Sequence, residues 1–212
     1  MSRLSFAIAG AHALPFAASP QLALRVRVDE AAGADVHAIA LRAQVNIEPQ
    51  RRRYGANESD LLHDLFGPPE RYGETVRSLL WAHVPATIGS FSGETEFELP
   101  IACSYDFEVA AHKYLSALAN GEIPLLVMFS GTVFVRGDTG VASELIPWTC
   151  EARFRLPVAV WRDTMNAFFP NSAWLRIDRV TFDELHRYKI AGGFATWEAA
   201  IERLCTEAKS AR

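Results

Sequence analysis

The sequence predicts an α+β fold, in which an antiparallel sheet of hairpins has helices packed on one face and is followed by a helical C-terminal third. Three observations predict this class. Apolar and polar residues alternate in the N-terminal half, an amphipathic segment precedes a buried strand near the middle, and helical spacing prevails after residue 157. The chain has 212 residues, 50% hydrophobic and 22% charged. This composition is typical of a globular protein, and we expect one domain over residues 1–212.

Two runs of alternating residues give the clearest strand signals. Residues 22–28 and 39–47 each place their apolar side chains on one face, and a glycine-containing segment separates the runs. We therefore expect the two runs to pair as a hairpin. Residues 1–20 are interpreted either as a flexible N-terminal segment or as an edge strand. The alternation of apolar residues over 4–8 favours the strand.

The segment 48–73 departs from the strand pattern. It contains three consecutive arginines, three prolines and three glycines. One short helix is predicted over 59–66, because a Gly-Pro-Pro sequence follows it and proline cannot donate a backbone hydrogen bond. The spacing of apolar residues then predicts a second helix over 75–83, and alternation predicts a strand over 95–99.

The middle of the chain predicts a helix followed by a second hairpin. Apolar residues over 107–118 share one helical face, and Gly121 can end that helix. Residues 125–135 then form a buried strand, which we expect to pair with a strand over 141–156. The connection at 136–140 contains the letters RGD, which we interpret as turn chemistry.

The C-terminal third is predicted to be mainly helical. A helix is expected over 157–169 because it begins with proline, and a short extended segment over 173–177 follows. A capping box that begins at Thr181 predicts the start of the next helix, which ends near residue 192 at two glycines. Thr196 is expected to cap the last helix.

Composition excludes several classes of function. A net charge of −4 argues against general binding of nucleic acid, and no apolar run approaches the roughly 20 residues of a membrane span. The cysteines at 103, 150 and 205 are too far apart for a zinc-ribbon or iron–sulfur pattern, which favours a reduced, cytoplasmic protein. The motifs GxGxxG and GxSxG and a phosphate loop are absent, so we expect no cofactor.

The densest basic cluster is the candidate for binding a partner. Arg51, Arg52 and Arg53 precede Tyr54, and their guanidinium groups could hold a carboxylate, a phosphate or an acidic partner. The alternative is a solvated loop after a strand. Trp148 and Trp161 flank a strand-to-helix junction and could line a groove for an apolar segment of a partner, with core packing as the alternative.

One set of residues suggests a metal site. Glu108 and His112 are spaced i, i+4 on the predicted central helix, and Cys103 lies a short loop upstream. The three could bind a metal ion or support redox chemistry. The alternative is a solvent-facing Glu–His pair beside a buried thiol.

Five segments resemble an uncharacterised bacterial family that is known only as a domain of unknown function. They are VNIEPQRRRY (45–54), DLFGPPERYG (64–73), SLLWAHV (78–84), CSYDFEVAAHKYLSALANGEIPLLVMFSGTVF (103–134) and FRLPVAVWRDTMNAFFPNSAWLRI (154–177). That family is associated with gene neighbourhoods of high-affinity, oxygen-tolerant nickel–iron uptake hydrogenases. The resemblance implies an accessory role and assigns no catalytic residue. A fainter likeness to the export chaperone SecB concerns the layout of strands before helices and residues 35–45.

The leading hypothesis is therefore a non-enzymatic, chaperone-like accessory protein that binds a protein client or subunit in hydrogenase assembly or operation. A second hypothesis is a metal-handling or redox protein that uses Cys103, Glu108 and His112. A third is a small-ligand binding module with a pocket between the sheet and the C-terminal helices. Self-association into a homo-oligomer is compatible with each of them.

Overall fold

The computed structural model describes residues 3–104, 106, 109–137, 140–170, 172 and 175–210. The chain forms two compact units, residues 1–173 and 174–212. The expectation of one domain over the whole chain stays a prediction. Antiparallel strands and helices within the described residues confirm the α+β class.

Within the described residues, the first unit contains the strands and four α-helices. Its strands are β1 (Leu4–Ala13), β2 (Gln21–Glu30), β3 (Asp35–Ile47), β4 (Leu79–Ile88), β5 (Phe91–Ser92), β6 (Glu94–Ala102), β7 (Glu122–Gly137), β8 (Gly140–Leu145) and β9 (Glu151–Pro157). Its helices are α1 (Ala56–Phe66), α2 (Tyr72–Thr75), α3 (Ala110–Ala117) and α4 (Val158–Phe168). The second unit contains α5 (Arg179–Ala191) and α6 (Trp197–Ser210).

The strands form two sheets. One has the order β1-β2-β6, and the other has the order β4-β3-β7-β8, with β5 beside β3 and β9 beside β7. The buried faces of β2, β3 and β7 supply much of the core. Phe6 of β1 stacks on Phe129 of β7 with ring centroids 4.3 Å apart, so the apolar faces of the two sheets meet.

The hairpin predicted for residues 22–28 and 39–47 is wrong, although both runs are strands. β2 pairs with β1 and β6, whereas β3 pairs with β4, β5 and β7 in the other sheet. Alternation determines which face of a strand is buried and leaves open which neighbour supplies the backbone hydrogen bonds. The two runs therefore belong to facing sheets. Residues 4–13 form an edge strand, as one of the two interpretations of the N-terminus predicted.

The helix predicted over 75–83 is also wrong. The helical turn α2 ends at Thr75, and β4 pairs with β3 from Leu79 onward. A short apolar run such as LLWAHV fits both periodicities, and here pairing with the long strand β3 decides the outcome. The short helix predicted over 59–66 is confirmed and begins earlier, at Ala56.

The second predicted hairpin contains one strand more than expected. β7 has 16 residues and pairs with β8 toward its C-terminal end and with β9 toward its N-terminal end, so residues 141–156 form two strands rather than one. Within the predicted turn, Asp138 and Thr139 lie outside the described residues. At Gly131 a side chain would collide with the backbone oxygen of Ala40, which explains a glycine within this strand.

The C-terminal predictions are confirmed in part. α5 ends before Gly192, and the Thr196 hydroxyl accepts from the backbone N–H of Ala199 at 3.2 Å. The capping box at Thr181 is wrong, because Asp178 is the N-cap and its Oδ1 accepts from the Thr181 N–H at 2.9 Å. Residues 175–178 are not in a strand, and residues 173 and 174 lie outside the described part. None of the described helices is long and apolar enough to cross a membrane.

Candidate functional site

The arginine–tyrosine loop, residues 51–54, lies between the end of β3 and the start of α1. Pro49 begins a single 3₁₀ turn directly after β3, and this turn redirects the chain out of the sheet. The three arginines that follow have three different environments. The loop is therefore not the uniform basic cluster that the sequence indicates.

Arg52 is an internal cross-link. Its side chain is 9% exposed, and its Nη2 donates to Glu58 Oε1 at 2.6 Å and to the backbone oxygen of Asn120 at 2.7 Å. Its Nη1 donates to the backbone oxygen of Glu122 at 2.9 Å. Glu58 also accepts from the backbone N–H of Ala119 at 2.8 Å. This pair fastens the loop and α1 to the connection between α3 and β7.

Arg51 and Arg53 are exposed. Arg51 Nε lies 2.9 Å from the buried carboxylate of Glu48, which Arg153 also approaches at 3.8 Å. Arg53 makes no hydrogen bond or ion pair within the described ranges. Of the three loop arginines, Arg53 is thus the one whose charge stays available to a ligand.

Tyr54 joins the loop to an aromatic cluster. Its hydroxyl donates to the backbone oxygen of Pro49 at 2.7 Å, so the buried Tyr114 hydroxyl donates to Tyr54 at 3.0 Å. Burial, followed by the hydrogen bond with Tyr114, raises the pKa of Tyr54. The Tyr54 ring also meets Tyr72 edge-to-face at 6.0 Å. These contacts hold the half-buried side chains of Tyr54 and Tyr72 in place.

A surface cavity of about 800 Å³ opens beside this cluster, and we name it the arginine–tyrosine pocket. It lies among the loop, the start of α1, α2 and the approach to β4. The residues that give it its chemistry are Arg52, Arg53, Tyr54, Tyr72, Val76 and Arg77. Three arginines and two tyrosines line the cavity, whereas no aspartate or glutamate is among its described lining residues. Such a surface suits an anionic ligand.

Sequence reasoning identified half of this pocket. It selected Arg52, Arg53 and Tyr54, and it missed Tyr72 and Arg77. The erroneous helix over 75–83 placed Arg77 on a helix rather than at the mouth of a cavity. The available signal was a second segment with tyrosine and arginine about 20 residues downstream, separated from the first by a helix short enough to fold back.

The two candidate tryptophans occupy different environments. Trp161 of α4 is buried, and its ring lies 5.8 Å from the ring of His112. Trp148, in the loop between β8 and β9, is 91% exposed. Among the described residues the two rings make no contact with each other. The groove predicted between them stays a prediction.

Cys103 and His112 share a second cavity, of about 50 Å³, which we name the thiol cavity. Burial raises the pKa of the Cys103 thiol to about 12 and lowers the pKa of His112. His112 Nε2 lies 3.0 Å from the Ser116 hydroxyl. His112 is therefore inside the fold and not on the solvent-facing surface of α3.

The metal hypothesis stays a prediction. Glu108, the third member of the set, lies outside the described residues. Among the residues that the structure does describe, no group of three histidine, cysteine, aspartate or glutamate side chains could hold a metal ion. A thiol whose pKa is raised by burial is also a poor source of the thiolate that binds metals.

Comparison with known proteins gives a family match. The model of a family of unknown function (DUF6084) matches residues 1–212. No curated protein matches the sequence.

Three solved structures show distant likenesses. The CARDB domain of a Pyrococcus furiosus protein, solved in complex with di-metal ions, has 11% identity and a TM-score of 0.29 over 74% of this chain and 92% of its own. β-Glucosidase 3B of Thermotoga neapolitana has 11% identity and a TM-score of 0.27 over 73% and 17%. The putative ApaA protein of Bordetella pertussis has 12% identity and a TM-score of 0.24 over 73% and 93%. These scores establish neither a shared fold nor a shared function.

Proposed function

We propose that this chain, which belongs to the DUF6084 family, is a non-enzymatic accessory protein that binds a partner protein through the arginine–tyrosine pocket. The observation that carries the proposal is the combination of three arginines, two tyrosines and no described carboxylate in one surface cavity. The resemblance of five sequence segments to a family found beside nickel–iron hydrogenase genes suggests the partner, a client or subunit in hydrogenase assembly. The proposal includes a cytoplasmic location.

The pocket has the properties of a recognition surface. Tyrosine and arginine dominate the energetic centres of protein interfaces, because each combines a large contact area with a polar group. Here Tyr54 and Tyr72 are held by their mutual ring contact and by backbone hydrogen bonds. A surface that is already ordered loses little entropy when a partner binds.

The buried Arg52–Glu58 ion pair stabilises the loop that carries Arg53 and Tyr54. It fixes the backbone of the loop, so the exposed Arg53 projects from an anchored segment. Arg52 would therefore be a misleading position for an interface test, because its substitution would disturb the fold. Arg53 is the position that separates binding from folding.

The test is affinity capture of the tagged protein from cells that encode it, with quantitative mass spectrometry. We compare the wild type with Arg53→Glu and with Arg42→Glu, a matched charge reversal at an exposed position of β3 outside the pocket lining. We expect hydrogenase subunits or maturation proteins to be enriched with the wild type and with Arg42→Glu, and to be lost with Arg53→Glu.

Two results would contradict the proposal. One is that no hydrogenase protein is enriched above an untagged control. The other is equal recovery of the partner with the wild type, Arg53→Glu and Arg42→Glu, which would show that the captured protein binds elsewhere. Circular dichroism of each purified variant verifies that it is folded.

A further inference from the structure

We infer that the arginine–tyrosine pocket binds a carboxylate attached to a flat apolar group. The carboxylate could belong to a segment of the partner protein or to a free aromatic acid, and both present the same chemistry to the pocket. The inference rests on the proposed function for its natural ligand. It goes further by stating which chemical group the pocket recognises.

The balance of charge inside the pocket favours an anionic ligand. Glu58 neutralises Arg52 at 2.6 Å, whereas Arg53 has no partner within the described residues. Arg77 makes only long bonds to backbone oxygens, from Nη1 to Gly73 at 3.4 Å and to Val76 at 3.2 Å. Two guanidinium groups thus keep free donors in one cavity. An anion in the pocket could accept paired hydrogen bonds from either planar fork.

The apolar part of the lining favours a ligand with a flat apolar group. Tyr54 and Tyr72 both line the pocket, and their hydroxyls already donate to the backbone oxygens of Pro49 and Ser59, at 2.7 and 3.5 Å. Val76 and two prolines extend this surface. Flat rings and proline side chains favour contact with another flat apolar group. The volume of about 800 Å³ lies within the usual range for small-molecule sites.

The pocket lacks one feature that is common in phosphate sites. Phosphate sites commonly use the free backbone N–H groups at the N-terminus of a helix. At the start of α1, Glu58 Oε2 accepts from the Gly55 N–H at 3.4 Å, and the same side chain accepts from Arg52. The lining of the pocket includes Ser59 but none of residues 55–58, so the first N–H groups of α1 are not part of it. Its free charged donors are the guanidinium groups of Arg53 and Arg77, whose planar forks can bind a carboxylate through two parallel hydrogen bonds.

The experiment is isothermal titration calorimetry with N-acetylphenylalanine, with its uncharged amide N-acetylphenylalaninamide, and with phenyl phosphate. The proteins are the wild type, Arg53→Gln, Arg77→Gln and the control Arg42→Gln. We expect saturable binding of N-acetylphenylalanine to the wild type and to Arg42→Gln. Loss of a charged hydrogen bond should weaken binding about tenfold or more, both for the amide and for each pocket variant. Added salt should also weaken binding of the acid.

Several outcomes would overturn the inference. These are equal affinity for the acid and its amide, no binding of the acid up to its solubility limit, equal weakening by Arg42→Gln, and a preference for phenyl phosphate over the acid. Thermal unfolding of each variant verifies that lost binding is not lost folding.

The source of the carboxylate is decided by competition. If N-acetylphenylalanine elutes the captured partner, the partner supplies the carboxylate. If it binds but elutes nothing, a free acid is the ligand.

The inference and the proposed function can also fail separately. If the protein binds the acid but captures no hydrogenase protein, the pocket inference stands and the proposed function fails. If it captures a hydrogenase protein but binds no acid, the proposed function stands and the pocket inference fails.

Discussion

The arginine–tyrosine pocket and the thiol cavity, both in the first unit, place their titratable side chains in opposite environments. The arginine–tyrosine pocket is wide and open, and Arg53 and Arg77 keep free donors there. The thiol cavity is small, and burial disfavours the charged forms of both Cys103 and His112. A cluster of reactive residue types therefore indicates a binding site only where the fold leaves those residues exposed and charged.

The same contrast occurs within the arginine–tyrosine loop. Arg52 and Arg53 are adjacent in sequence, yet one is an internal ion pair and the other is an exposed cation. Strand β3 and helix α1 determine this difference by directing one side chain toward the connection after α3 and the other toward solvent. Four predictions test these contrasts.

The largest effect is expected for Arg52→Ala. It would leave the buried Glu58 carboxylate without its partner, and breaking a buried ion pair costs about 3–5 kcal/mol. Urea unfolding should show that loss, whereas Arg53→Ala should change the free energy of unfolding by less than about 0.5 kcal/mol. Equal effects of the two substitutions would show that Arg52 is not a structural cross-link.

A second pair of variants compares the tryptophans. Trp161→Ala removes a buried ring and should cost about 3–5 kcal/mol of unfolding free energy. Trp148→Ala removes an exposed ring, so its effect on stability should be close to zero. Denaturant unfolding of both variants provides the measurement. A stable Trp161→Ala protein would contradict the assignment of this ring to the core.

The third prediction concerns pH and His112. Its pKa is lowered in the folded state by burial, so the unfolded chain binds the proton more readily. Stability should therefore be complete above the ordinary histidine pKa of about 6.5 and should fall as the pH decreases below it. One such group contributes at most about 1.4 kcal/mol per pH unit.

The measurement is the free energy of unfolding between pH 8 and about pH 5, a range chosen to span that pKa. His112→Gln should show a smaller decrease than the wild type. An identical pH dependence in both proteins would mean that His112 titrates in the folded state as it does in the unfolded chain.

The smallest effect is a difference in thiol reactivity. Cys103 is buried and its pKa is raised to about 12, whereas Cys205 of α6 is exposed. Ellman's reagent should modify Cys205 rapidly and Cys103 only on unfolding, because the thiolate is the reactive form. The variants Cys103→Ser and Cys205→Ser assign the two reactions. Rapid modification of Cys103 in the native protein would show that the thiol cavity holds an accessible, reactive thiol.

Local patterns predicted the strands well and their partners poorly. The alternation over 22–28 and 39–47 identified both strands, because a strand with one buried face alternates apolar and polar residues along the sequence. That the two strands belong to facing sheets depends on β6 and β7, which are far away in sequence. The apolar run at 79–84 was ambiguous for the same reason, since its pairing with β3 determined its conformation.

The site was predictable in part for a related reason. The letters RRRY marked the loop, but the partners of Arg52 lie 6, 68 and 70 residues away, so its burial left no local signal. The pocket likewise requires Tyr72 and Arg77 to fold back beside Tyr54. The exposure of a charged residue is a property of the tertiary structure, which is why the cluster could be located but not divided into its structural and exposed members.

The open, charged pocket should bind a carboxylate, and the buried thiol cavity should not. Hydrogen exchange with mass spectrometry, with and without N-acetylphenylalanine, measures this difference. We predict slower exchange of backbone amides over residues 50–59 and 70–78, and no change with N-acetylphenylalaninamide. Protection confined to the amides around Cys103 and His112, or no protection anywhere, would contradict the account.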